Sequence, residues 1–172
     1  MPLAVTHVIT SIILVDLYRD YISRHRHYFT LHTVFIAGFA GLLPDIDILL
    51  GKVLGFFGED IMHRTFTHTP LFGLLFLIPG FYFWTRRKLQ QRRIAVYFFV
   101  TTFGILLHIL LDFLFTTDAA GLFLLYPFSM AAYDMNILSS VLTPTFAAGL
   151  DAIILLAWLW HEEKKHKISD FI

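Results

Sequence analysis

Apolar residues fall into five long blocks, 3–18, 31–50, 68–85, 94–117 and 137–160, separated by shorter polar segments. About 20 helical residues cross a hydrocarbon core of roughly 30 Å. By that measure the last two blocks are long enough, the second is adequate, and the first and third need tilt or local thinning. The pattern predicts an all-α fold, a polytopic membrane bundle of about five transmembrane helices forming a single domain over residues 1–172. Gly41 and Pro44 interrupt the second block, and Pro70 and Pro79 the third. Such breaks predict helices that bend around a cavity. Residues 118–136 are too apolar for a solvated loop and predict a re-entrant or interfacial connection over the bundle end. Within it, Tyr126, Ser129 and Asp134 read as packing residues that could also meet a headgroup.

Composition agrees with the blocks. The chain is 57% hydrophobic and 17% aromatic, with mean hydropathy +0.69, too apolar for a soluble domain of this length. There is no cysteine, which excludes disulfides and thiolate metal sites and leaves His, Asp and Glu as strong ligands. A formal net charge of zero gives no signal for a nucleic-acid partner. The N-terminus lacks a basic region and a small-residue cleavage site, so the first block is predicted as a retained helix.

The position of the charges sets an expected topology. Arg19, Arg24 and Arg26, then Arg86, Arg87, Lys88, Arg92 and Arg93, then Lys164, Lys165 and Lys167 place eleven of thirteen basic residues on one side, leaving Lys52 and Arg64 on the other. The positive-inside rule then puts the N-terminus outside and the C-terminus in the cytoplasm of an inner membrane. Trp84, Trp158, Trp160, Tyr82 and Tyr18 lie near the basic side as an aromatic belt.

That topology, built from Lys and Arg alone, gathers seven ligand-type side chains at the outer leaflet: His7, Asp45, Asp47, His63, His68, His108 and Asp112. His108 and Asp112 are four apart in a membrane-length apolar run, so they share one helical face. Ionisable groups there are costly unless a partner, a metal or water compensates. Pro44-Asp45-Ile46-Asp47 supplies paired carboxylates where one helix ends and another begins, a suitable arrangement for a divalent ion. Helix capping is the plainer reading of the same residues. His63 and His68 flank Arg64, whose guanidinium could hold a phosphate oxygen, just before a helix that Thr67 or Thr69 caps and Pro70 begins. An interfacial loop, a buried His–Asp tie between helices and a merely interfacial His7 are the plainer readings of these stretches. His25, His27, His32, His161 and His166 fall on the basic side as solvated residues. Asp16 and Asp151 are expected in the cytoplasmic halves of their helices, paired with Arg or Lys.

The ordered set of His7, P-D-I-D at 44–47, H-R-T-F-T-H at 63–68, H-I-L-L-D at 108–112 and L-Y-P-F-S at 125–129 resembles a known family. It is similar to the YdjM-like membrane-bound metal-dependent hydrolases of bacteria and archaea, also described as LexA-binding inner-membrane hydrolases. The likeness runs from Met1 to about Ser129. It implies that His7, Asp45, Asp47, His63, His68, His108 and Asp112 are metal-site positions. Thr65 and Thr69 stand where that family commonly has glycine and serine, which bears on loop shape. The His-x-x-x-Asp pair is also similar to that of zinc-dependent phospholipase C.

Together these readings predict a hydrolase with two or three divalent ions, zinc first and manganese or magnesium as alternatives, cutting a phosphoester in a membrane lipid or lipid-linked substrate. Asp45 and Asp47 would bridge metals or accept a proton, and Arg64 would steady the transition state. The alternative is a non-enzymatic membrane protein using the same cluster for metal or proton transport or as a structural metal site. Transport predicts polar stations continuing inward through Asp151, Asp16 and His32. The short basic loops offer no physical support for a LexA contact.

Overall fold

The computed structural model describes residues 4–23, 27–55, 64–115, 121–135, 137 and 143–167. Regular structure among them is helical: α1 (Ala4–Leu17), α2 (Leu31–Ala40), α3 (Ile46–Gly55), α4 (Pro70–Leu75), α5 (Leu77–Trp84), α6 (Leu89–Phe115) and α7 (Pro144–His166). A π-helical turn, Tyr18–Ile22, extends α1, and a short 3-10 turn, Phe66–His68, precedes α4. Among the described residues, α6 is the helix long and apolar enough to cross a membrane, while α2 and the Pro70–Trp84 stretch are apolar but shorter.

The breaks follow from local chemistry. Thr69 caps α4, its hydroxyl accepting the Phe72 amide at 3.2 Å with Pro70 as first helical residue, the expected division of labour at a helix start. Pro79 cannot donate an amide and crowds the carbonyl four residues earlier, and the helix interrupts at Phe76, between α4 and α5. The 31–50 block likewise divides at Gly41–Asp45 into α2 and α3. The last helix starts later than hydropathy predicts, at Pro144 and not 137, because Thr143 caps it by accepting the Phe146 amide.

The long helix α6 packs against α2, α4, α5 and α1, and α7 packs on α1. Close approach depends on small residues, the usual means of bringing apolar helices together without a hydrophobic drive. A Cβ on Gly104 of α6 would lie 2.6 Å from the Ala40 Cβ, and one on Gly41 would lie 2.8 Å from the Ser11 hydroxyl and 2.9 Å from the His7 carbonyl. Val15, Val34, Ala37, Val96 and Val100 form an apolar core between α1, α2 and α6. Near the end of α6, Leu122 and Tyr133 form an antiparallel bridge. The Met135 and Ile137 amides bond to the Phe113 and Leu114 carbonyls. Leu122 is buried there while Phe128 is 87% exposed. Residues 121–135 thus turn apolar side chains such as Phe128 outward; residues 118–120 and 136 of the expected connection lie outside the described residues.

Candidate metal centre

His7 lies in the first turn of α1, Asp45 immediately before α3, Asp47 in the first turn of α3, His68 in the turn before α4, and His108 and Asp112 near the end of α6. The fold brings these helix ends together. His7 Nε2 lies 3.3 Å from Asp112 Oδ1, His68 Nε2 lies 3.5 Å from Asp45 Oδ1 and 3.8 Å from Asp112 Oδ2, and His108 Nε2 lies 3.7 Å from both Asp45 Oδ1 and Asp112 Oδ2. The His7 and His108 rings stack at 3.8 Å. Two ligand groups result, His7–His108–Asp112 and Asp45–His68–His108, sharing His108. His7, His68, His108 and Asp112 are at most 2% exposed.

The atoms suit a cation better than they suit one another. Atoms bonded to one tetrahedral ion at about 2.0–2.2 Å lie roughly 3.3–3.6 Å apart, close to the observed spacings. A charge-assisted N–H···O bond closes to about 2.7–2.9 Å. Buried polar atoms normally find partners, yet His108 Nε2, Asp45 Oδ1 and both oxygens of Asp112 have no hydrogen-bond partner among the described residues. Neither Asp45 nor Asp112 has a Lys or Arg counter-ion among them. The buried Asp112 and the partly buried Asp45 carboxylates, facing imidazole nitrogens without a Lys or Arg among the described residues, form a donor set that fits a divalent ion.

A second layer orients these ligands. His108 Nδ1 lies 2.7 Å from the Gly41 carbonyl oxygen; a carbonyl can only accept, so Nδ1 carries the proton and Nε2 turns its lone pair to the cluster. Asp47 Oδ2 accepts from the Arg64 amide at 3.0 Å and the Thr67 hydroxyl at 2.9 Å and lies 3.4 Å from His68 Nδ1. Asp47 therefore stands behind His68, in the position of the carboxylate that orients a metal-bound histidine. Arg64 joins the arrangement through its backbone: it is 4% exposed with φ +67°, a left-handed conformation that turns its amide onto Asp47. His63 lies outside the described residues.

Sequence reading missed the Gly41 carbonyl, which no side-chain pattern reveals, and the Thr67 hydroxyl. It also misplaced Asp151. That carboxylate accepts from the Thr6 hydroxyl at 2.9 Å, beside His7, at the cluster's end of α1 and not in the opposite half. At the other end of the α1–α7 seam, Asp16 meets Arg19 at 2.8 Å and the Trp158 indole at 3.1 Å, and Asp20 meets Arg19, Lys165 and His166. Asp16, Asp20, His161 and Glu162 are close enough to hold an ion, but basic side chains already serve Asp16 and Asp20.

No curated protein and no solved structure matches the chain. The family model described as YdjM inner membrane protein matches residues 1–169. With a match spanning nearly the whole sequence, the chain belongs to the YdjM inner membrane protein family.

Proposed function

We propose that this protein is a membrane-bound metal-dependent hydrolase of phosphoester bonds in a lipid or lipid-linked substrate. Its chain would cross the inner membrane five times with the N-terminus outside, the C-terminus in the cytoplasm and the His/Asp cluster at the outer leaflet. The observation that carries this reading is the convergence of His7, Asp45, His68, His108 and Asp112, from four separate parts of the chain, on one largely buried cluster whose ring nitrogens and carboxylate oxygens lie 3.3–3.8 Å apart. The bundle end that holds them is opposite the end where Arg93 bonds the His27 carbonyl and where Asp20 meets Lys165 and His166, which agrees with the positive-inside assignment.

His7, His108 and Asp112, with Asp45 and His68 beside them, would hold one or two divalent ions, zinc by the nitrogen-rich donor set. A metal bound there supplies a water acidified to near neutrality and Lewis-acid polarisation of a phosphoryl oxygen. The residues do the rest. Asp45, 21% exposed at its side chain where the other ligands are buried, is the carboxylate placed to take a proton from water and pass it outward. Asp47 and Gly41 hold the His68 and His108 rings in register. The burial of the pocket excludes bulk water and keeps its electrostatics strong.

A transport path is poorly supported by the same packing. The stations it needs are elsewhere engaged: Asp151 binds Thr6, Asp16 is met by Arg19 and Trp158, and His32 is exposed. Between the cluster and Asp16 stands the apolar core of Val15, Val34, Ala37, Val96 and Val100.

Metal content and phosphoester hydrolysis, measured together on purified protein with His108→Ala and Asp112→Asn alongside, test the reading. The expected result is bound divalent metal and turnover of a phospholipid or prenyl phosphate in the wild type, both lost in the variants. Metal that is present and lost in the variants, without turnover of any lipid phosphate, would assign the cluster to structure or transport.

A further inference from the structure

The cluster has one open side. Its ligands are buried except Asp45, and Asp45 is also part of the wall of a groove of about 500 Å³ formed by the end of α2 and by α3. That volume is within the ordinary range for a small-molecule site. The walls are apolar side chains turned outward: Phe39 is 73% exposed, Leu49 61%, Ile46 39% and Leu42 36%. In water this would be a costly exposed patch; in a bilayer it is a surface against which an alkyl chain packs. The groove has two ionisable residues, Asp45 and Lys52. Asp45 immediately precedes α3 and Lys52 lies two turns into it, about 10 Å along the axis, and both border the one groove. A lysine stem spans much of that gap while its ammonium seeks polar surroundings. Among the described residues Lys52 has no ion-pair partner. The larger cavity of about 580 Å³, walled by Leu14, Val15, Phe99 and Phe103, has no charged residue.

We propose that the α2–α3 groove docks a lipid-borne phosphate, Lys52 binding the phosphate and the Phe39–Leu42–Ile46–Leu49 wall its hydrocarbon chain, so that the headgroup meets Asp45 from within the membrane plane. Charge complementarity argues for an anionic headgroup: a phosphate brought beside the Asp45 carboxylate needs a cation, and Lys52 is the basic residue in the wall. The apolar wall argues for a chain and against free phosphate. This inference rests on the hydrolase reading of the cluster, but the binding step can be measured without turnover.

The chain has no cysteine, so Ile48→Cys, at the groove, carries one environment-sensitive fluorophore in the otherwise unchanged full-length protein. Dodecyl phosphate is titrated in neutral maltoside micelles, with affinity expressed as micellar mole fraction. Saturable binding is expected, weakened about tenfold by Lys52→Gln, retained by Lys52→Arg, weakened by Leu49→Asn, and at least tenfold tighter than for methyl phosphate or dodecyltrimethylammonium. Metal content should not change in the Lys52 variants, which separates their effect from loss of fold. Equal binding by Lys52→Gln, or by methyl phosphate, would overturn the proposal. So would a fluorophore that ignores dodecyl phosphate but responds to protein concentration, which would assign the groove to a second copy of the chain. Binding as expected with no turnover would sink the hydrolase reading and leave the docking surface standing.

Discussion

His108 Nδ1 lies 2.7 Å from the carbonyl oxygen of Gly41, and this contact ties the last turns of α6, which carry the His/Asp cluster, to the break that ends α2. The same residue at which the chain leaves α2 fixes which nitrogen of His108 faces the carboxylates. Loss of the ring should remove both metal groups at once, since His108 belongs to each. We expect His108→Ala to purify with no more than a small fraction of the wild-type metal, read by elemental analysis. Metal retained at wild-type stoichiometry would remove His108 from the ligand set.

Asp47 should behave differently from Asp45. It bonds to the Arg64 amide and Thr67 and faces His68 Nδ1, so Asp47→Asn should weaken metal affinity about 10–100-fold without abolishing it, the usual effect of losing an orienting carboxylate. Asp45→Asn removes a carboxylate from the Asp45–His68–His108 group and should lower kcat by about 10²–10⁴-fold even at saturating metal, the range for a lost proton acceptor. Competition with a chelator, alongside turnover, distinguishes the two. Reversed results would exchange their roles.

The difference between these two aspartates shows where sequence reading reached its limit. The gathering of His7, Asp45, His68, His108 and Asp112 was legible, because the expected topology drawn from Lys and Arg put all five at one end of the bundle. So were the Thr69–Pro70 helix start and the break at Gly41–Pro44, since caps and breakers act locally. Asp45 and Asp47 looked equivalent because they are two apart. A helix beginning at Ile46 turns such neighbours to different faces, and which one faces the pocket depends on where α3 lies against His68. The Thr6–Asp151 bond joins residues 145 positions apart, a pairing that no periodicity encodes. Hydropathy also ran on past the true start of α7, where only the Thr143 cap marks the boundary.

Close packing of α2 on α6 should control the site from a distance. A Cβ at Gly104 would meet Ala40 Cβ at 2.6 Å and the Ala37 carbonyl at 3.1 Å, contacts that backbone shifts alone can relieve. Gly104→Val should cost about 1–3 kcal/mol, the usual range for overpacking, and should lower metal affinity, because Gly41 and His108 sit on the two helices forced apart. Thermal unfolding in detergent with and without added zinc checks both parts. An unchanged midpoint would mean that the helices do not meet at Gly104.

Absence of native cysteine makes the topology directly measurable. Asp134 and Gln90 are both exposed, one in the connection after α6 and the other at its start. Asp134→Cys should react with an impermeant maleimide in intact cells and Gln90→Cys only after the membrane is opened. Labelling of both under the same condition would end the outward-facing arrangement.

Acidification should act on the α1–α7 seam through two carboxyl groups beyond the proposed spans, in opposite senses. Asp20 falls from an ordinary value near 3.8 to about 2: burial opposes the shift, but hydrogen bonds from His166 and Arg19 and their positive charge overcome it. A depressed carboxylate stabilises the fold above its unfolded value, and that contribution disappears as pH falls from about 4 to about 2. Glu162 is raised, by burial first and then by hydrogen bonding and repulsion from Asp16, with His166 and Arg19 opposing. Its ionised form is therefore a burden on the folded state at neutral pH, relieved as pH falls through the raised value. Glu162→Gln keeps a donor for Asp16 and removes the burden, so it should raise the unfolding temperature at pH 7 and make little difference at pH 4. Asp20→Asn should lower the midpoint at pH 7, with a deficit that narrows as pH drops below 4. A Glu162→Gln gain that is the same at both pH values would show that its carboxylate is not strained by Asp16.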